Sequence, residues 1–144
     1  MEQEEKEDKT NIIKNMKFKE LLTYIKDFSI AEPNVNTVFI GDVYELNEKQ
    51  DIHYSAVVIN GQSHNININQ EYNTYGLNIF YVDRETSDKS NVDDIHSNGI
   101  DVLNNIINKI EVLGGDIINE VNIQTFEERF DSICAGAFAT VNVR

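Results

Sequence analysis

The sequence predicts an α+β domain: two helices and a mainly antiparallel sheet, in the order α-β-β-β-β-α-β-β. Two stretches carry apolar residues at three- and four-residue steps, and six shorter ones alternate in period two or run apolar and β-branched. Turn residues separate them. A chain of 144 residues suits one hydrophobic core. Its division is an acidic N-terminal arm, residues 1–15, followed by a single domain, residues 16–144.

The arm MEQEEKEDKTN has no apolar periodicity before Ile12 and Ile13. From Asn15 to Phe28, the residues Phe18, Leu21, Leu22, Ile25 and Phe28 form one stripe of an amphipathic helix. Pro33 ends it, because the residue before a proline is pushed out of the α region. Thr37 to Leu46 and Asp51 to Ile59 alternate as strands, and the polar stretch between them predicts an antiparallel pair. Asn60-Gly61 reads as a turn, since both residues tolerate positive φ. Ile66 and Ile68 alternate with asparagines as a third, half-buried strand or polar edge, and Tyr75 to Asp83 makes a fourth.

Ser90 with Asp93 three residues later resembles a capping box that starts the second helix. Val92, Ile95, Leu103, Ile106, Ile107 and Ile110 keep helical spacing, and Gly114-Gly115 ends the run in a left-handed turn. Gly99, inside this helix, points to close packing on the sheet. Ile117 to Gln124 and Ala135 to Val143 are the closing strands, and Phe126 with Phe130 between them suits a helical turn or a broad hairpin. Both helices are expected on one face of the sheet, leaving the other in need of a partner or a polar coat.

Composition narrows the function classes. Hydrophobic residues at 40% supply a core, and no apolar run reaches the roughly 18 residues a membrane span requires. The acidic start differs from a signal peptide. A single cysteine, Cys134, excludes an internal disulfide, and a reducing compartment is the default expectation. Residues 1–26 hold six acids and six bases, so the net charge of −13 falls entirely on residues 27–144. Such a body repels polyanions, and tight nucleic-acid binding is not expected.

Candidate chemistry is sparse. His53, His64 and His96, with Asp51 or Asp94 as oxygen donors, lack metal-ligand spacing, and ordinary structural or surface roles explain them. Cys134 could pair with a histidine as a nucleophile. Its small neighbours Ala135 and Gly136 favour a buried apolar role instead. The acid pairs Asp93-Asp94 and Glu127-Glu128 read as solvated, the first also opposing the helix dipole. The glycine pair follows a helix, unlike a phosphate loop. No catalytic, cofactor-binding or metal-ligating residue is assigned, no cofactor is expected, and the chain reads as a non-enzyme.

Two stretches, GLNIFYVDRETSDKSNVDDIHSNGIDVLNNIINKI and NEVNIQTFEERFDSICAGAFATVNV, resemble small structural proteins of tailed bacteriophages, especially crAss-like phages with short tails. The pattern is Phe80-Tyr81-Val82-Asp83-Arg84, a loop, a helix with Asn98-Gly99-Ile100, then Phe126, Arg129-Phe130 and Cys134-Ala135-Gly136. It covers about Met16 to Arg144. The resemblance implies a tail-terminator or neck-type fold and a virion location, the chain being made in the host bacterial cytoplasm. It also implies a homomeric ring, sixfold or twelvefold, between portal, neck and tail proteins, with DNA passing through the bore without specific binding and no membrane involved. An acidic bore would let DNA slide. The alternatives are a host-directed interaction module, or a small enzyme or ligand-binding domain whose pocket would gather His53, His64 or Cys134 with a carboxylate.

Overall fold

The computed structural model describes residues 16–47, 52–67, 72–118, 120–129 and 133–144. The arm assigned to residues 1–15 lies outside the described residues, as do Asp51 and Phe130. Among the described residues there are two helices, α1 (Phe18–Ser29) and α2 (Val92–Val112). Five strands accompany them: β1 (Thr37–Ile40), β2 (Ala56–Asn67), β3 (Tyr72–Arg84), β4 (Ile123–Arg129) and β5 (Cys134–Val143). The fold is α+β, with a single sheet in the order β1-β2-β3-β5-β4. Every pairing is antiparallel except β1 with β2.

The helical stripes become the inner layer. Leu21 and Ile25 of α1 are buried, as are Ile95, Val102, Leu103, Ile106 and Ile110 of α2. They pack on alternate sheet residues: Val57 and Ile59 of β2, Leu77, Ile79 and Tyr81 of β3, and Ala135, Ala137, Ala139 and Val141 of β5. The alanines of β5 let α2 come close. At Gly99 a Cβ would stand 2.9 Å from Tyr81 Cδ1 and 3.2 Å from Ala137 Cβ, so the glycine marks tight helix-to-sheet contact. The helix ends as its glycines direct: Gly114 takes a φ of 97°, and Gly115 donates to the Ile110 carbonyl. Both helices cover the same face of the sheet. α1 lies over β1 and β2, and α2 lies over β3, β5 and β4.

Local details depart from the sequence reading. The strand expected over Thr37–Leu46 stops at Ile40, because Asp42 accepts the Tyr44 amide through Oδ1 at 2.9 Å and starts a 3-10 turn, Val43–Asn47. Val43 and Leu46 bury themselves on the far face of the sheet. The chain therefore crosses over instead of turning back, and β1 and β2 are parallel where an antiparallel pair was expected. Asn60-Gly61 is no turn. It sits inside β2 beside an irregularity between Gly61 and Ser63, and the two predicted strands on either side are one. A Cβ at Gly61 would stand 2.6 Å from Phe18 Cζ, so the glycine leaves room for that ring.

The capping box is not made. Asn91 stands at the N-cap of α2 without a side-chain cap, and its Oδ1 instead accepts the Thr86 amide at 2.8 Å. The strand expected at Ile117–Gln124 begins only at Ile123. Ile117 forms a single bridge to Val143, anchored by Arg144 and Asp116, which exchange backbone bonds and an ion pair of 2.6 Å. Phe126 belongs to β4, which settles its neighbourhood as a hairpin strand.

Candidate functional site

The outer face of the sheet is built from the other half of each alternation. β1 sends Phe39 there, β2 Ala56 and Val58, β3 Phe80 and Val82, β5 Cys134 and Phe138, and β4 Phe126. Register brings the aromatics together. Phe80 pairs with Phe138 across β3 and β5, their rings 5.4 Å apart and nearly parallel, and Phe126 joins at 6.4 Å from Phe138. The crossover covers the β1–β2 end with Val43, Leu46, Ile52 and Tyr54. Phe80 and Phe138 remain half-buried, and beyond them the face turns polar, with Thr140 Oγ1 donating to Asn78 Oδ1 at 2.7 Å.

The candidate reactive groups are dispersed. His64 lies on the helix side of β2, 4.7 Å from the Tyr75 ring and 6.4 Å from Phe18. His53 precedes β2 and is exposed, its carbonyl accepting from Thr37 Oγ1. His96 reaches from α2 to β4, Nε2 standing 2.8 Å from the Phe126 carbonyl, which gives it a structural task. Cys134 is buried on the outer face, opposite to His64. Burial pushes its thiol pKa up, against the opposing hydrogen bond from Tyr54 and the charge of Arg84. A raised thiol holds little thiolate at neutral pH, so the group is poorly suited to nucleophilic work.

The acids are equally dispersed. Asp93, Asp94 and Glu127 are exposed, and the Glu128 side chain lies outside the described residues. Among the described residues no three His, Cys, Asp or Glu gather where they could hold a metal ion. A shallow depression on α1 is lined by Lys19, Glu20, Thr23, Tyr24 and Asp27, and takes in neither a histidine nor Cys134. No helix among the described residues is long and apolar enough to cross a membrane.

One further group was not foreseen from the sequence. The Arg84 guanidinium stacks over Tyr54, 5.0 Å from the ring centroid, at the covered end of the outer face. Next to it, burial raises the Asp83 carboxyl pKa above its ordinary value, although Oδ1 accepts the Arg84 amide at 2.8 Å. In the following loop, Asp88 accepts from the Ser90 amide and the Thr86 hydroxyl, and these bonds lower its pKa.

Acids outnumber bases on both flanks of the sheet, with Glu32, Asp42 and Glu45 near β1. The α1 flank exposes Lys17, Lys19 and Lys26 against Glu20 and Asp27. The α2 flank exposes Asp93, Asp94, Asp101 and Glu111 against Lys109, and β4 adds Glu127. The chain matches no protein-family model and no curated protein.

Proposed function

We propose that this chain is an assembly subunit: a bacteriophage virion protein whose copies close a homo-oligomeric ring in the neck or tail, around the path of the DNA. The observation that carries the reading is the one-sided build of the domain. Two helices cover one face of the sheet, while the other keeps Phe80 and Phe138 stacked and only partly buried, beside the buried Phe126. A partly open apolar strip on an otherwise polar sheet face is a surface that another protein can cover.

The net charge of −13 supports a bore that passes DNA without gripping it. The catalytic alternative has less support: His64 and Cys134 lie on opposite faces of the sheet, and burial, together with the nearby carboxylates of Asp83 and Glu85, raises the Cys134 thiol pKa instead of activating it. Light-scattering mass measurement across protein concentration tests the reading. Assembled species are expected, and a chain that stays at 16.5 kDa at high concentration and alongside portal and tail proteins rejects it. Mass spectrometry of purified particles separates a virion component from a host-directed module, which would be missing from them.

A further inference from the structure

The two edges of the sheet are unlike, and they run in opposite directions. β1 is parallel to β2, and three antiparallel steps, β2 to β3, β3 to β5 and β5 to β4, follow. β4 is therefore antiparallel to β1. Two copies set side by side, helices on the same side, bring β1 of one against β4 of the next in the sense that antiparallel pairing requires.

Hydrogen-bond alternation leaves both edges with groups to offer. On β1, the Thr37 amide donates to Ser55 O and the Gly41 amide to Ile59 O, so odd-numbered residues face β2. Val38 and Ile40 then turn their amides and carbonyls outward. On β5, Asn142 O accepts from Ile118, and Arg144 exchanges bonds with Asp116, so even-numbered residues face away from β3. Their β4 partners Gln124 and Phe126 bond inward, leaving Ile123 and Thr125 directed outward.

β1 is a short edge of four residues, TVFI, without a charge or a proline, and its Ile40 is 39% exposed.

We propose that the β1 edge of one copy pairs with the β4 edge of the next, continuing the sheet from subunit to subunit. The partner is a second copy of this chain, and the inference rests on the assembly reading above. Such a contact is heterologous, so its repetition gives a ring when the rotation closes and a filament otherwise.

Two variants test the pairing, Ile40→Pro and Thr125→Pro, each removing an outward amide while leaving the bonds within the subunit in place. Circular dichroism confirms that each folds. Each alone is expected to fall to the mass of one chain, and an equimolar mixture to stop at a dimer, because each retains the edge the other has lost. Folded variants that keep the wild-type mass, or a mixture that stays monomeric, overturn the proposal. Should either variant fail to fold, hydrogen exchange on the wild type replaces it. The Val38, Ile40 and Thr125 amides are expected to be protected in the assembly and to exchange in dilute protomer, and equal exchange in both overturns the pairing. A wild type that is monomeric throughout rejects the assembly reading as well, whereas an assembled wild type unmoved by either variant rejects only the edge contact.

Discussion

The two faces of one sheet show what each half of a strand contributes. Along β3, Leu77, Ile79 and Tyr81 point to the helices and are at most 1% exposed, whereas Asn78 and Phe80, on the same strand, stay partly open. Along β5, alanines and Val141 meet α2, while Phe138 and Thr140 face outward. The inner face is finished within the chain. The outer face is closed at the β1–β2 end, where the 3-10 turn covers it, and at Val82, Cys134 and Phe126, which leaves Phe80 and Phe138 as the partly open apolar surface that the proposed assembly would use.

That contrast can be broken most severely from inside. Ile106→Ala removes a fully buried side chain between α2 and the sheet and is expected to cost about 2–5 kcal/mol, read as a lowered denaturation midpoint. An equal loss at Phe138 would show that the outer face is as complete as the inner one. Phe138→Ala is expected to cost about 1–2 kcal/mol in the isolated chain, since the ring is only partly buried there. A larger effect on assembled mass than on folding is the expected signature of an unfinished face. Thr140→Val deletes one partly solvated hydrogen bond to Asn78 and should cost less than about 1 kcal/mol by chemical denaturation.

The smallest effect concerns pH. Burial raises the folded pKa of Asp83, so its protonated form is favoured in the native chain. Its contribution is therefore fullest below the ordinary carboxylate range and declines as pH rises through the raised folded value. Asp83→Asn should flatten this part of the stability profile when denaturation is followed from acid to neutral pH. An unchanged profile would place the pH dependence elsewhere.

Much of the inner layer could be read from periodicity. The α1 and α2 stripes, the end of α2 at Gly114-Gly115, the close packing at Gly99 and the strand β5 all rest on local spacing, which tertiary structure preserved. The parallel β1–β2 pair was hidden by Asp42, whose turn makes Val43 and Leu46 a crossover. Their three-residue spacing was the available signal, and alternation in the neighbouring residues masked it. Asn60-Gly61 misled because its glycine accommodates the Phe18 ring, a contact between distant parts of the chain. The outer aromatic row was equally hidden, since Phe80 and Phe138 become neighbours only through register. A cue was present in Ile79-Phe80-Tyr81-Val82, where consecutive large apolar residues imply that both faces of the strand are wanted. The reactive groups scatter because His64 and Cys134 take opposite faces of the sheet, His53 precedes β2 and His96 lies on α2.

The most direct measurement is the mass of the wild-type protein in solution, taken from dilute to concentrated samples. Assembly by repeated contact predicts a rise from 16.5 kDa to a fixed whole-number multiple of it, with closed rings in electron micrographs. A mass that remains 16.5 kDa at every concentration, alone and with portal and tail proteins present, would contradict the account.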